Sequence, residues 1–489
     1  MLLNTSQNEA RSQIQNFLSG DPAEVGRGFF LNGRAGTGKT FLTAELAKEA
    51  VSRGAVVVLA PTHKALGVLR SKLRAAGISI DEIKNADGGP TRGVVYLATH
   101  SSFLGIAPEI TEDQDEELKF IKSRRGTSRH FEYCGGYTVF MDEASMLSKG
   151  AFRMIREQCE ADRARVIFIG DTGQLPPVKA QPAPLERMVN QYELREIVRQ
   201  AAGSEIVALA GEIREGVEIH WADRTAGDVR VWAAHGATKK FREAFLTTLV
   251  RPTREVLDEN MSVYVAYRNK VVDEMNEMAC QTVYGHGAEL FEPGERVISK
   301  GGIDVWDPVS RRVVILAHTS ESLEVLSFST ERYPVSCTVT GTVFEAHKIT
   351  LAGFGTGAAG TAKFNAYYLP EHEWSSESHP YRRELTARVA DAQKIQKRYD
   401  QAKADKNWSL YNSINTSRKE AWKLFFNWQQ RTLVSITHPF AITSHKSQGS
   451  TYRQAWVDRA DIASAPGGAG DKSLYVAVTR ASEKVEILV

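Results

Sequence analysis

Cysteine is scarce and scattered: Cys134, Cys159, Cys280 and Cys337 are the only four in 489 residues, and no two form a C-x-x-C pair. That spacing excludes a zinc finger or a disulfide-stapled secreted scaffold and suits core thiols in a reducing interior. Long apolar runs are missing as well. No stretch approaches the roughly 20 residues needed to cross a bilayer. The opening Met1-Leu-Leu-Asn-Thr-Ser-Gln7 has neither the basic nor the apolar block of a signal peptide. The expectation is a cytoplasmic protein without membrane contact. Charge of one sign is also lacking, since 61 Lys and Arg against 59 Asp and Glu leave a formal net charge of +2. A nucleic-acid site, if there is one, must then be a local groove. No internal repeat or low-complexity tract is present. What remains, 42% hydrophobic and 25% charged, is an ordinary folded globular chain, long enough for two to four domains.

The first 190 residues alternate between β and α patterns. Strand-like runs at Phe29–Leu31, Ala55–Ala60, Thr138–Met141 and Val166–Ile169 are separated by helical stretches such as Phe41–Ser52 and Ala65–Ala75. This is the pattern of an α/β lobe whose parallel sheet is covered on both faces. A polar, charge-rich stretch from about Ser101 to Gly136 fits no strand of that sheet and reads as an inserted hairpin. The α/β character returns from Gln191 to about Tyr284, with an apolar run Met261–Tyr267 and a helix pattern Lys270–Cys280. Between Glu295 and Pro370, short runs at Arg312–Ala317, Leu323–Phe328 and Val335–Val343 predict an all-β insertion, a small barrel. Arg383–Arg431 contains neither Gly nor Pro and predicts a helical hairpin turning near Asp405–Asn407. Its Trp408, Trp422 and Trp428 either pack the hairpin or stack on bases.

Three segments carry chemistry. Gly33-Arg-Ala35-Gly36-Thr37-Gly38-Lys39-Thr40, between a strand and a helix, is a phosphate-binding loop. Its glycines let backbone N–H groups turn inward, Lys39 brings a cation to the β- and γ-phosphates, and Thr40 offers a hydroxyl to Mg2+. Val139-Phe-Met-Asp142-Glu143 ends an apolar strand in two carboxylates. Asp142 suits magnesium and Glu143 suits orienting and deprotonating a water, so the pair favours ATP hydrolysis over nucleotide binding alone. Gly170-Asp-Thr-Gly-Gln174-Leu-Pro-Pro-Val178 follows the next strand. Gln174 is either a reporter of the γ-phosphate or lytic water, or part of a proline-stiffened turn.

These segments recur in order with others: Ala60-Pro61-Thr62-His63-Lys64-Ala65, Ala98-Thr99-His100-Ser101, Leu194–Gln200, Ala441–Thr451 and Leu474–Ala481. Together they resemble the ordered signature of superfamily-one helicases, most closely the 5′-to-3′ branch that contains the bacteriophage Dda helicase and the RecD proteins. The resemblance implies two RecA-like P-loop lobes with ATP between them. The first would be residues 1–100 and 136–190, with a pin hairpin at 101–135. The second would be 191–285 and 435–489, interrupted at 286–434 by the barrel (about 290–375) and a helical tower (about 383–431). It implies an ATP-dependent DNA helicase that moves 5′ to 3′ on single-stranded and forked DNA, in phage or bacterial replication, recombination or repair. Such an enzyme would work as a monomer beside single-strand-binding and replication proteins, in a bacterial cytoplasm or a phage-infected host.

Roles follow by position. Gln7 resembles the glutamine that reads the adenine edge, and Gly449 lies in a loop that meets the nucleotide. Arg199 and Arg480 resemble arginine fingers that meet charge building on the γ-phosphate. Pro61, Thr62, His63, Lys64, Thr99, His100, Thr443 and His445 resemble DNA-backbone grips, segments whose small hydroxyl, amide and imidazole donors suit phosphate contact without base readout. Ile106–Thr111, Glu112–Glu116 and Glu117–Lys122 predict the pin itself, with Phe120 as its one aromatic. Phe120 either stacks on a base at the fork or anchors the pin.

Overall fold

The computed structural model describes residues 3–489 apart from 83–92, 109–119, 123–135, 178–179, 197–203, 308–311, 318–319, 337–340, 354–362 and positions 235, 254, 257, 288 and 342. The chain forms two compact units, one of residues 1–248, 258–273 and 441–489, the other of 249–257 and 274–440.

The first unit is α/β with two parallel sheets. One has seven strands in the order Ser79–Glu82, Val94–Thr99, Ala55–Ala60, Tyr137–Met141, Arg165–Gly170, Gly28–Gly33, Gln191–Leu194. Alternation along its strands makes two cores. Leu31, Val56, Val58, Ile167 and Ile169 face one side, under the helices Thr5–Ser19, Lys39–Ala50 and His63–Ala75. Phe30, Val57, Leu59, Val139 and Phe168 face the other, under Lys149–Ala161. Each such buried side chain contributes roughly 1.5–3 kcal/mol, and burial on both faces explains why these strands read as unbroken apolar runs. The other sheet has five parallel strands, in the order Val229–Trp232, Ala481–Leu488, Tyr452–Asp458, Ser262–Ala266, Ala441–Thr443.

One boundary is corrected. Gln191–Leu194, expected to open the second lobe, pairs with Gly28–Gly33 as the edge of the first sheet, from Phe30↔Gln191 to Gly33↔Leu194. The first lobe therefore runs past 190. Inside the stretch 101–135, Ile106–Pro108 and Phe120–Lys122 pair antiparallel as a separate two-stranded sheet. The turn expected at 112–116 lies outside the described residues.

The second unit begins before residue 286. Its first helical residues belong to Asn269–Tyr284, where Asn276 Nδ2 donates to Thr437 and Tyr284 packs on Phe440. A five-stranded antiparallel sheet stands where a small barrel is expected, in the order Lys363–Tyr368, Val343–Gly353, Ser322–Ser336, Arg296–Ser299, Ile436–Thr437. The run Val335–Val343 is not one strand. The chain reverses there, with Ser336 paired to Val343 and Gly341 at φ 69°, a left-handed conformation that glycine adopts without strain. Pro380–Ala404 and Trp408–Arg431 form the helical hairpin. Trp422 and Trp428 are buried in it: Trp422 Nε1 donates to Gln396 Oε1 at 3.2 Å, and Trp428 stacks on Tyr381. Trp408, at the turn, is 57% exposed. Among the described residues no helix is long and apolar enough to cross a membrane.

Candidate active site

The chemical motifs of the first sheet all follow the carboxyl ends of its strands, the edge where open parallel sheets bind ligands. The phosphate loop is shaped by three glycines. Gly36 and Gly38 sit at φ 82° and 75°. At Gly33 a Cβ would lie 2.8 Å from Thr37 Oγ1 and 3.2 Å from Lys39 Cδ, so any side chain there would crowd the loop. Lys39 Nζ lies inside the turn and donates to the carbonyls of Gly33 (2.7 Å) and Arg34 (3.0 Å). Thr40 is half-buried in the first turn of the helix that follows.

Gln7 is buried against this loop. Its Nε2 donates to the Thr37 carbonyl at 3.0 Å, while its Oε1 accepts from Asn4 N at 3.1 Å. Asn4 Oδ1 accepts in return from Gln7 N, completing a capping box at the first helix. The amide that the resemblance assigns to adenine thus also fastens the N-terminal helix to the loop. One N–H and one lone pair remain for a base edge.

Asp142 is buried, and its Oδ1 accepts from Glu143 N at 2.9 Å. Burial, then the neighbouring Glu143 charge, pushes its carboxyl up to about 7, against the pull of its backbone hydrogen bond and of Lys39. Glu143 adopts φ 49°, unusual for a residue with a side chain and typical of functional positions. Glu143 Oε2 and Gln174 Oε1 are buried with no hydrogen-bond partner among the described residues. Buried polar atoms of this kind are normally satisfied by a ligand or water, and both being acceptors, a lytic water with its two O–H groups would serve them. Among the described residues no cluster of three or more His, Cys, Asp or Glu could hold a metal. The oxygen donors at Thr40 and Asp142 fit a magnesium ion that arrives with phosphate oxygens and waters.

The helix Ala469–Val478 of the same unit carries Tyr475, and Arg480 lies between the end of that helix and the strand Ala481–Leu488. Arg480 is buried, and its guanidinium donates to Val476 O (3.0 Å), Ser450 O (3.1 Å) and Thr479 Oγ1 (3.0 Å). Burial lowers its pKa, and Glu143 is the largest charge opposing that shift. Arg199 lies outside the described residues. Gly449 adopts φ 76° beside Gln448, whose Nε2 donates to Leu175 O at 3.5 Å.

The grip residues form a second group. Thr62, Thr99 and Thr443 each stand where a strand hands over to a helix, and each is the N-cap. Their hydroxyls accept from Ala65 N (3.2 Å), Ser102 N (3.1 Å) and Lys446 N (3.4 Å), bonds that use the oxygen and not the O–H. Pro61, His63 and Lys64 are half-buried beside them, and Lys64 Nζ donates to Lys446 O at 3.3 Å, bringing the two grips together. His100 is held down to about 4 by burial, against the backbone hydrogen bond to Ala60, and burial also lowers His445. Both imidazoles are therefore neutral near pH 7 and bring no positive charge to a phosphate. Phe120 pairs through its backbone with Pro108, and its side chain lies outside the described residues.

Sequence reasoning passed over Asp171, Arg214 and Tyr475. Tyr475 Oη donates to Asp171 Oδ2 at 2.7 Å and accepts from Ala35 N at 3.0 Å, while Arg214 Nη2 lies 3.4 Å from Asp171 Oδ1. Tyr475 and Asp171 fall in segments already singled out, but 304 residues separate them, and nothing in local spacing signals the contact.

Two family models match the chain, an AAA domain over residues 4–235 and a UvrD-like helicase C-terminal domain over 438–488. An uncharacterized protein of Acanthamoeba polyphaga mimivirus is 21% identical over 548 residues, covering 100% of both chains. The ATP-dependent DNA helicase Dda of Enterobacteria phage T4 is 22% identical over 466 residues, covering 92% of each. Among solved structures, Pif1 helicase from Bacteroides in complex with ADP-AlF3 and ssDNA aligns with a TM-score of 0.49 at 16% identity, covering 100% of this chain and 92% of that one. Pif1 from Candida albicans aligns at 0.47 and 16%, covering 100% and 95%.

Proposed function

We propose that the chain is a superfamily-one helicase related to Dda, which hydrolyses ATP to move 5′ to 3′ along single-stranded DNA and parts duplexes at a fork; the AAA domain over residues 4–235, the UvrD-like helicase C-terminal domain over 438–488 and the likeness to Dda support this reading. The observation that carries the reading is the convergence of Lys39, Asp142, Glu143 and Gln174 at one sheet edge. There the buried oxygens of Glu143 and Gln174 have no protein partner among the described residues.

In this reading the inward N–H groups of the loop and the Lys39 ammonium hold the β- and γ-phosphates. Thr40 and Asp142 would hold a magnesium ion with the nucleotide, and that ion would supply charge neutralisation. Glu143 orients the lytic water and takes its proton, Gln174 reports whether the γ-phosphate is present, and Arg480, with Arg199, meets the charge that grows on it. Gln7 favours adenine. Binding and release of nucleotide change how the Thr62–Lys64, Thr99–His100 and Thr443–His445 grips hold the backbone, so the strand is stepped through. The two-stranded element containing Phe120 would be the wedge. The 5′-to-3′ direction rests on the resemblance to the Dda and RecD branch. So does work as a monomer beside single-strand-binding and replication proteins.

The test is unwinding of duplexes bearing a 5′ or a 3′ single-stranded tail, with and without ATP. Opening of the 5′-tailed duplex alone, and only with ATP, supports the reading. Opening of the 3′-tailed duplex reverses the direction, and ATP-independent opening removes the motor.

A further inference from the structure

We infer that Tyr475 is a positioning residue for ATP hydrolysis: its hydroxyl sets the Ala469–Val478 helix, and with it the Arg480 guanidinium, in register with the phosphate loop. The inference rests on the reading of Gly33–Thr40 as the ATP site.

The argument begins with how Arg480 is held. Its guanidinium donates to Val476 O, Thr479 Oγ1 and Ser450 O, so two of its three anchors belong to the end of its own helix. A side chain locked this way has little freedom of its own, and it goes where the helix goes. What matters for catalysis is then what fixes that helix against the first sheet. Two of its side chains reach the loops there. Lys472 Nζ donates to Thr172 O at 3.3 Å, but on the exposed surface, where a long flexible side chain holds little.

Tyr475 is buried and makes two bonds through one oxygen. It accepts from the backbone N–H of Ala35, inside the phosphate loop, and donates to the carboxylate of Asp171. Asp171 is itself immobilised, because it is fully buried, its Oδ1 accepts from Gly173 N at 3.0 Å, and Arg214 stands 3.4 Å away. Burial, reinforced by the Asp171 charge, pushes the Tyr475 hydroxyl well above its ordinary value, so the proton it donates is retained. A hydroxyl bonded on both sides in a buried setting fixes position far better than an exposed lysine hydrogen bond.

The experiment compares Tyr475→Phe, Arg480→Ala and the double variant in the full chain, with single-stranded DNA at saturation. Tyr475→Phe keeps the ring and removes the two bonds. It should lower kcat for ATP hydrolysis by about 10-fold, the scale of a buried hydrogen bond expressed only in the transition state. KM for ATP and affinity for a fluorescent ADP analogue should stay close to those of the unaltered protein. If Tyr475 acts through Arg480, the double variant will be no slower than Arg480→Ala alone. Multiplicative losses in the double variant would overturn the inference. So would an unchanged kcat, or nucleotide affinity falling together with kcat. Lys39→Ala separates the two levels: normal turnover there sinks the ATP-site reading itself. An inactive Lys39→Ala beside a normal Tyr475→Phe sinks only this inference.

Discussion

The phosphate loop and the backbone grips are built from the same strand-to-helix junctions, yet by opposite means. At Gly33–Thr40 the backbone is forced into left-handed turns at Gly36 and Gly38, and one of the two cations, Lys39, is enclosed by loop carbonyls. Next to it Glu143 is left-handed and the Asp142 carboxyl is pushed up to about 7. At Ala60–Lys64, Thr99–His100 and Thr443–His445 the junctions are ordinary N-caps, Thr62 half-buried and Thr99 and Thr443 buried, with His100 and His445 held neutral and one lysine. The first arrangement concentrates its function in a few unshareable groups. In the proposed reading the second would spread a modest attraction over several equivalent ones, as binding without base readout requires.

That contrast can be broken most decisively at Lys39. Lys39→Ala removes the enclosed cation and leaves every grip in place, so ATP hydrolysis and unwinding should vanish while single-strand binding persists in a fluorescence anisotropy titration. Loss of DNA binding in the same variant would mean that the two rims are not separable. Arg480→Ala should come next. Arginines that meet transition-state charge are worth ~10³–10⁵ in rate, so turnover should collapse while ATP affinity changes far less. Equal loss of affinity and rate, read from steady-state kinetics, would make Arg480 structural.

The grips should respond in a smaller register. Thr62→Ala or Thr443→Ala removes an N-cap worth about 0.5–2 kcal/mol, together with its O–H. Affinity for single-stranded DNA should fall by a few-fold to roughly 10-fold, while ATP turnover at saturating DNA stays near normal and Thr→Ser restores binding. A single grip substitution that abolished binding would contradict the distributed picture. The smallest effect concerns His100. Its value of about 4 lies below the ordinary 6.5, so protonation favours the unfolded chain. Its contribution to stability is present above pH 6.5 and is lost as pH falls from 6.5 towards 4. Thermal midpoints should drop more steeply across that window for the unaltered protein than for His100→Asn. Parallel curves would show that the imidazole is not held neutral by the fold.

The same contrast decides what was legible beforehand. Glycine spacing before Lys39 has a steric cause that survives in the sequence, and the strand Ala55–Ala60 and the helical hairpin turning at residues 405–407 announce themselves by apolar runs and by the absence of Gly and Pro. Gln191–Leu194 did not, because a short polar edge strand has one neighbour and little apolar content, and only pairing with Gly28–Gly33 reveals its sheet. The threonine caps were read as DNA contacts without their structural half, since an N-cap is recognisable only once the helix start is fixed. The Tyr475–Asp171 bond joins residues 304 positions apart and leaves no local pattern at all.

Whether the two rims together make a motor is tested most directly by the number of ATP molecules hydrolysed per DNA-binding event as the single strand is lengthened. The measurement needs a trap that prevents rebinding. A protein that steps along the strand hydrolyses more ATP per encounter on longer strands, until dissociation sets a plateau, and Lys39→Ala hydrolyses none. Hydrolysis of a fixed amount per encounter, whatever the length of the strand, would contradict the account and leave a nucleotide-gated clamp that binds and releases DNA without moving.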